Sequence, residues 1–392
     1  MLIQEKVAQA KAILKEFNVD CWITFVRESE INGDPTLDFL LGVPVTWHSA
    51  FIITSAGQSF AIVGKYDHQT VADTGAYDDV QSFVEGIHDL FIARMKALNP
   101  SAIAINYSQG SEICDGLTHG MYLTLCEMLA EIGFEDRLIS AEPVVSALRQ
   151  RKTATEIERI RAAITATENI FEDVASFIKP GKSETEIADT MKGRARSAGF
   201  ALAWGEAACP AVFTGPDTAG AHYAPTDRQV APGHVLNMDF GLRYQGYCSD
   251  LQRTFYICRQ NETSAPDAVL HGFDTIITAI ELARNGLKSG VLGHEIDAIA
   301  RQHLIANGYD EFPHGLGHQV GRFAHDGTAL LGPPWEKYAQ KPFQPVEAGM
   351  VFTLEPRLTV PDFGVVTVEE MVLVTDHGAE YLSTPQQRLW LI

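Results

Sequence analysis

Four acidic residues lie at matching places in two predicted β-hairpins. The first hairpin spans 235–257, and a turn centred on Tyr244 and Gln245 places Asp239 opposite Asp250. Directly opposed residues of an antiparallel pair have β-carbons about 4.5–5.5 Å apart, where like charges destabilise the pairing. A hairpin with two opposed carboxylates therefore needs a compensating positive charge.

The second hairpin repeats this arrangement. It spans 350–374, and a turn centred on Asp362 places Glu355 opposite Glu369. Apolar neighbours such as Leu354 put the opposite face of the strands in a core. Four carboxylates on a half-buried sheet cannot all stay ionised without cations, because burial and mutual repulsion raise their pKa values. Two divalent ions would balance the four negative charges.

The ligand types narrow the choice of metal. Carboxylate-rich ligation suits hard or borderline ions, and a histidine ligand shifts the choice away from calcium and magnesium. We therefore expect two divalent metal ions, with manganese first and cobalt, zinc or iron as alternatives. A pair of such ions about 3.5–4 Å apart can activate water for a hydrolytic reaction.

Histidines near the hairpins supply the expected nitrogen ligand. His314, His318 and His325 lie in the glycine-rich stretch 311–327, where little side-chain bulk blocks the approach of a metal or a substrate. His222 lies in a short segment before the first hairpin. A lone histidine is more often structural, but this grouping favours a functional set in which histidines beside the metal move protons.

The elements around these residues divide into two parts. Before residue 150, alternating patterns predict an α/β domain. A charged, polar stretch at 148–155 then precedes a long predicted helix at 156–178, which gives domains of 1–150 and 151–392. The elements predicted in the first domain are an N-terminal helix, strands at 21–26, 49–54 and 60–63, and helices at 87–98 and 120–132.

The second part contains an internal repeat. The stretch that begins at Lys179 aligns without gaps with the stretch that begins at Lys288, 109 residues later, and each follows a predicted helix, at 156–178 and 266–287. The alternative is two ordinary helices with similar caps, because Ser183 with Glu186 has the pattern of a capping box. Duplication predicts a pseudo-twofold domain with helices outside and sheet inside. The identical pairs are Lys179/Lys288, Gly181/Gly290, Glu186/Glu295, Ile187/Ile296 and Gly199/Gly308.

Composition argues against several classes of partner. The 392 residues are 46% hydrophobic and carry a formal charge of −20. Such a surface repels phosphate backbones and anionic lipid, so we expect neither nucleic acid nor a membrane as a partner. No apolar run approaches the roughly 18 residues of a membrane span. The six cysteines have no metal-binding spacing and the N-terminus has no signal-peptide pattern, so we expect a cytoplasmic protein.

In its ordered set of acidic residues and histidine, the sequence resembles the pita-bread-fold metallopeptidases, the family of aminopeptidase P, prolidase, methionine aminopeptidase and creatinase. The resemblance covers the second domain continuously and implies an α+β pita-bread catalytic domain. It implies that Asp239 holds one ion and that His318 and Glu355 hold the other. Asp250 and Glu369 would bridge the two ions.

The same resemblance implies roles for two more histidines and for the first domain. His222 and His325 match the family's histidines that position the scissile carbonyl and stabilise or protonate the tetrahedral intermediate. The first domain resembles the smaller α/β N-terminal domain of creatinase and prolidase, which methionine aminopeptidases usually lack. Its presence points to the Xaa-Pro branch, whose members are commonly homodimers.

Three positions depart from the family pattern. Gln319 and Asp326 replace a common glycine and a usual glutamate, and Thr367 stands where the family often has an arginine that binds a substrate carboxylate or organises the site. We hypothesise that Arg357, directly across the hairpin from Thr367, returns a guanidinium to the metal-bearing face, because arginine suits carboxylate recognition. The alternative is an ordinary surface arginine. We also assign His314 to the substrate site.

These observations together predict a dinuclear metal-dependent hydrolase that cleaves the bond between an N-terminal residue and proline, as an Xaa-Pro aminopeptidase or dipeptidase. Its partner is then a small peptide with proline at the second position. One alternative is a creatinase-like amidinohydrolase or metal-dependent lyase that acts on a small charged metabolite on the same fold. The other is a binding module without activity, against which the complete ligand set argues.

Overall fold

The computed structural model describes residues 2–216 and 224–392. The chain divides into two compact units, Met1–Arg149 and Gln150–Ile392. Each unit has its own buried apolar core. Among the described residues, no helix is both long enough and apolar enough to cross a membrane.

The first unit alternates helices and strands. The strands predicted at 21–26 and 49–54 have those bounds, and the strand predicted at 60–63 is one residue longer at each end. Its helices are α1 (Leu2–Glu16), α2 (Leu37–Leu40), α3 (His68–Asp73), α4 (His88–Leu98), α5 (His119–Ala130) and α6 (Glu142–Gln150). Its strands are β1 (Cys21–Val26), β2 (Ser49–Thr54), β3 (Ser59–Gly64), β4 (Asp79–Phe83), β5 (Ile103–Ile105) and β6 (Leu138–Ser140).

These strands form a mixed sheet in the order β4-β3-β2-β1-β5-β6. β1, β2 and β3 run antiparallel in turn, and β4, β5 and β6 are added in parallel. Alternate residues of a strand point to opposite faces. In β1, Ile23 and Phe25 therefore pack with residues of α4 and α5, whereas Trp22 packs with residues of α1 and α6. Helices cover both faces, which confirms the α/β organisation predicted for this part of the chain.

The second unit carries the two acidic hairpins. Its helices are α7 (Ala154–Ala175), α8 (Glu184–Ser197), α9 (Asp267–Gly286) and α10 (Gly293–Ala306). The strands of its first half are β7 (Ala201–Leu202), β8 (Ala211–Thr214), β9 (Val235–Phe240), β10 (Leu242–Tyr244), β11 (Tyr247–Cys248) and β12 (Leu251–Tyr256). The remaining strands are β13 (Gly317–His318), β14 (Leu330–Leu331), β15 (Val351–Leu354), β16 (Arg357–Val360), β17 (Gly364–Thr367), β18 (Glu370–Thr375), β19 (Gly378–Tyr381) and β20 (Trp390–Leu391).

Helices flank the strands of this unit in two similar groups. α8 packs against β8 and α7 against β10 and β11, while α9 packs against β16, β17 and β19. Every residue of β9 and β12 is buried. The strand that carries Asp239 and the strand that follows Asp250 are therefore interior strands flanked by helices, as the repeat predicted.

The backbone reproduces the internal repeat. α8 and α10 are both 14 residues long and begin 109 residues apart. Before each helix, a glycine with positive φ donates its amide to a valine carbonyl, from Gly181 to Val230 at 2.9 Å and from Gly290 to Val346 at 2.8 Å. Because loops as well as helices match, the structure favours duplication over two ordinary helices with similar caps.

Candidate metal centre

The first hairpin brings Asp239 and Asp250 to one face of the sheet, but not as a directly opposed pair. Asp239 pairs with Gln252, so the predicted pairing was wrong by two residues. The turn centres on Gln245 and Gly246, whose φ values are 45° and 83°. A tight two-residue turn with positive φ at both positions matches the twist of the strands, which explains the shift. Because side chains alternate with period two, the shift leaves both aspartates on the same face.

The second hairpin has the predicted register. Leu354 pairs with Glu370, and Arg357 pairs with Thr367, on either side of a break in the ladder. Glu355 lies within this break, where its amide donates to the Leu316 carbonyl at 2.8 Å.

Glu369 lies on the other side of the same break and bridges to the first hairpin. Its amide donates to the Gln252 carbonyl at 3.2 Å. Pro356, which follows Glu355, has no N–H to offer to the ladder. Glu355 and Glu369 therefore lie opposite each other without a hydrogen bond between their backbones. The Glu369 amide instead joins the second hairpin to the first, through the Gln252 carbonyl.

His318 reaches the carboxylates from a short strand that packs closely on β15. Its Nε2 lies 3.4 Å from Glu355 Oε1 and 3.8 Å from Asp250 Oδ2. A Cβ at the preceding Gly317 would lie 1.9 Å from the Thr353 carbonyl oxygen, so only glycine permits this approach. The Thr353 hydroxyl also accepts the His318 amide at 3.1 Å.

These side chains surround one cavity of about 160 Å³. The ring of His325 meets that of His318 edge to face, with centroids 4.1 Å apart. Asp250, His318 and Glu369 each offer a ligand atom, and these atoms lie within 4.8 Å of one another. The cavity is lined by Trp204, Asp239, Asp250, His318, Ala324, His325, Glu355 and Glu369.

The carboxylates are destabilised as anions. Burial raises the pKa of Asp239 to about 7. Burial, followed by repulsion from neighbouring carboxylates, holds the pKa values of Asp250, Glu355 and Glu369 well above their usual range. Bound cations would therefore stabilise the ionised forms of these four carboxylates.

In the described part of the chain, three of the buried carboxylate oxygens around this cavity have no hydrogen-bond donor and are therefore available to a cation. Within residues 2–216 and 224–392, Asp239 Oδ1 and both carboxylate oxygens of Glu369 are buried without a hydrogen-bond donor. Buried polar atoms are almost always paired, so such a group needs an explanation. Divalent cations fit these oxygens, because carboxylates with one imidazole form a suitable donor set for them.

Gln319 and Asp326, the two departures from the family pattern beside His318 and His325, form hydrogen bonds that fix the histidine-containing loop. Gln319 Nε2 donates to Gln150 Oε1 at 2.8 Å. Asp326 Oδ2 accepts the Arg322 amide at 2.7 Å and lies 3.9 Å from Lys152 Nζ, with both charged side chains buried. The departures from the family pattern at 319 and 326 are therefore accommodated by contacts within the same unit.

Three further residues were predicted to belong to the substrate site: His314, Arg357 and His222. His314 is not among the described residues that line the cavity; its Nδ1 lies 2.8 Å from the Gly315 carbonyl oxygen and its ring lies against Phe312. Its role in substrate binding stays a prediction. Arg357 does pair with Thr367, as predicted, and is half-buried. His222 lies outside the described residues.

Sequence reasoning missed Gln252. The residue is 3% exposed, and its Nε2 donates to Glu355 Oε2 at 3.2 Å. The available signal was its place two residues after Asp250, because alternate residues of a strand share a face.

Comparisons with known proteins point to one family. The model described as "Metallopeptidase family M24" matches residues 158–376, more than half of the chain. The chain is 27% identical to an uncharacterised peptidase, YqhT, of Bacillus subtilis, over 71% of this chain and 73% of that protein. It is 29% identical to an Xaa-Pro dipeptidase of Pyrococcus furiosus, over 63% of this chain and 67% of that one. A solved Xaa-Pro dipeptidase from Bacillus anthracis matches all of both chains, with a TM-score of 0.74 and 23% identity.

Proposed function

Since the chain belongs to metallopeptidase family M24 and is a metal-dependent peptidase with the pita-bread fold, we propose that it is an Xaa-Pro peptidase, which cleaves the bond between an N-terminal residue and a following proline. The observation that carries the proposal is the cavity in which four carboxylates and His318 converge, with three carboxylate oxygens unpaired among the described residues. The substrate class is supported by the names of the relatives from Pyrococcus furiosus and Bacillus anthracis.

The proposed centre would hold two divalent ions. Following the family resemblance, Asp239 would bind one ion, His318 and Glu355 would bind the other, and Asp250 and Glu369 would contribute to both. Such a centre would supply a water with a pKa lowered to about 7 and positive charge for the scissile carbonyl. The unpaired oxygens of Asp239 and Glu369 support this assignment.

The chain's own residues orient the peptide and move protons. His325 lines the cavity beside His318, and an imidazole exchanges protons near neutral pH. We assign to His325 a hydrogen bond to the scissile carbonyl oxygen, whose negative charge grows during attack. Following the family resemblance, we assign His222 the same kind of role, in positioning the scissile carbonyl and stabilising the tetrahedral intermediate. Trp204 and Ala324 supply the apolar part of the cavity lining.

Matched peptides test the substrate class. With Mn²⁺ supplied, we expect kcat/KM for cleavage before proline in Ala-Pro and Ala-Pro-Ala to exceed that for Ala-Ala and Ala-Ala-Ala by about 100-fold. Equal rates on the alanine peptides, or turnover of creatine in place of peptides, would contradict the proposal. The creatinase-like and lyase alternative is not favoured, because the named relatives are peptidases.

Arg357 is proposed to bind the C-terminal carboxylate of a dipeptide. It lies across from Thr367, and residues paired across an antiparallel ladder share a face. Burial lowers the pKa of its guanidinium, which makes no hydrogen bond or ion pair within the described ranges.

We expect Arg357→Ala to raise KM for Ala-Pro by about 10-fold or more, since hydrogen bonds to charged groups contribute about 1.5–3 kcal/mol. KM for the C-terminal amide of Ala-Pro should change less than about 2-fold, because that substrate has no carboxylate. Steady-state kinetics on both substrates give the measurement, with the exposed Arg196→Ala as the matched control. If Arg357→Ala changed KM equally for Ala-Pro and for its C-terminal amide, Arg357 would not bind the substrate carboxylate.

The proposal extends to the metal, the compartment, the domains and the assembly. Manganese is the first expectation, supported by a set of four carboxylates and one histidine.

A cytoplasmic location is supported by the cysteines, all six of which are free. Residues 1–150 are proposed to form a creatinase-type domain and residues 151–392 the catalytic domain. A homodimer follows from the family resemblance, and light scattering tests it.

A further inference from the structure

We propose that Gln252 is a positioning residue that orients Glu355 toward the ion shared with His318, and that Thr367 fixes the orientation of the Gln252 amide. This inference rests on the two-ion centre proposed above, but not on the identity of the peptide substrate. It concerns two side chains of this particular chain, one of which stands where the family often has an arginine.

The backbone of Gln252 is fixed between the two acidic hairpins. It pairs with Asp239 in the β9–β12 ladder, and its carbonyl accepts the Glu369 amide at 3.2 Å. One residue thus contacts three of the four acidic residues, because its side chain also reaches Glu355. Its side chain has little freedom to move away, since only 3% of the residue is exposed.

Chemistry decides which end of the Gln252 amide faces Glu355. An ionised carboxylate only accepts hydrogen bonds, so the amide nitrogen must face it. Nε2 lies 3.2 Å from Glu355 Oε2. The amide oxygen then points the other way and receives the Thr367 hydroxyl at 3.0 Å. The ionised carboxylate therefore selects the orientation in which Gln252 donates to it, and the Thr367 hydroxyl holds that orientation by donating to the amide oxygen.

Thr367 is itself held by neighbouring strands. Thr254 Oγ1 accepts the Thr367 amide at 3.3 Å, and the Pro356 carbonyl lies 3.1 Å from the Thr367 hydroxyl. The Thr254 hydroxyl oxygen also lies 2.5 Å from the Thr367 carbonyl oxygen and 2.6 Å from Asn237 Oδ1, so its one proton serves one of these acceptors at a time. The orientation of Gln252 is thus set by a hydrogen-bonded series that crosses β9, β12 and β17.

The consequence for Glu355 is a division of labour between its two oxygens. Oε2 is occupied by Gln252, whereas Oε1 lies 3.4 Å from His318 Nε2 and accepts a long hydrogen bond from the Thr353 hydroxyl, also at 3.4 Å. The carboxylate therefore presents one oxygen, in a fixed orientation, beside the histidine. Residues that orient metal ligands in this way typically change metal affinity by about 10- to 100-fold when they are replaced.

Titration of the metal-free protein with Co²⁺, followed by calorimetry and by the visible absorption of bound cobalt, tests the proposal without peptide. We expect Gln252→Met to weaken one of two binding steps by about 10- to 100-fold and to leave the other step near wild type. Thr367→Val should weaken the same step, although it touches no proposed ligand. Thr367→Ser keeps the hydroxyl and should restore it. Thr275→Val, which removes a buried hydroxyl from α9, is the matched control.

The outcomes separate orientation from general destabilisation. Unchanged binding in both Gln252→Met and Thr367→Val would overturn the inference, as would equal weakening of both steps together with a lower melting temperature of the metal-free protein. Failure of wild type to bind a second ion would overturn the inference and the two-ion centre together. If the ions bind as expected while Xaa-Pro peptides are not cleaved, the substrate assignment fails and the role of Gln252 stands.

Discussion

Asp250→Asn is expected to lower kcat/KM on Xaa-Pro peptides by about 10³-fold or more. Asp250 is one of three residues whose ligand atoms lie within 4.8 Å of one another, and it is proposed to lie between the two ions. An amide has nearly the same shape but no negative charge, so it cannot neutralise a cation. Loss of several kcal/mol of charge stabilisation in the transition state corresponds to such a factor.

The same substitution should not destabilise the metal-free protein. Burial, and after it repulsion from Asp250, raises the pKa of Glu369, so removal of the Asp250 charge relieves part of this conflict in the absence of ions. We therefore expect an unchanged or higher melting temperature in EDTA, which separates lost chemistry from misfolding. Asp362→Asn is the control: it makes the same change in an exposed turn with positive φ, a conformation that asparagine tolerates. Retention of more than about a tenth of wild-type activity by Asp250→Asn would contradict the proposed centre.

The metal-free protein is expected to lose stability as pH rises from 5 to 8. Burial raises the pKa of Asp239 to about 7. Burial, followed by repulsion from neighbouring carboxylates, also holds the pKa values of Asp250, Glu355 and Glu369 well above their usual range. A carboxyl group whose pKa is higher in the folded state binds more protons there than in the unfolded chain. Its contribution to stability is complete below the unfolded pKa and is lost as pH rises through the folded pKa.

Divalent ions should remove this dependence, because they replace the protons. Raising the pKa of Asp239 from 3.8 to about 7 corresponds to about 4 kcal/mol at neutral pH, or on the order of 10 °C in melting temperature. Calorimetric melting in EDTA and in Mn²⁺ at several pH values gives the measurement. The gain from Mn²⁺ should grow with pH, and Asp239→Asn should flatten the curve in EDTA. A melting temperature in EDTA that rises between pH 5 and 8 would refute the account.

The sequence allowed the hairpins and their acidic faces to be predicted, because both depend on a period of two. The turn at Gln245–Gly246 was misplaced, yet Asp239 and Asp250 still share a face, since a shift of two residues preserves it. A shift of one residue would have put one aspartate in the opposite core. The second hairpin was predicted in the correct register, because Asp362 lies at the centre of its turn.

Contacts between distant segments were beyond sequence patterns. No local rule places the Thr367 hydroxyl on Gln252, because 115 residues separate them and the contact depends on how two hairpins meet. His314 was assigned to the substrate site from its spacing with His318 and His325, and its ring lies against Phe312. Its role in substrate binding stays a prediction.

The division of ligands between the two halves of the repeat gives the ions a second task. Asp239 and Asp250 come from the first half, whereas His318, Glu355 and Glu369 come from the second. A chain severed between residues 258 and 266 would leave each fragment with an incomplete set of donors. Divalent ions bound by both fragments would hold them together, so in the proposed centre the ions would also link the two halves of the repeat.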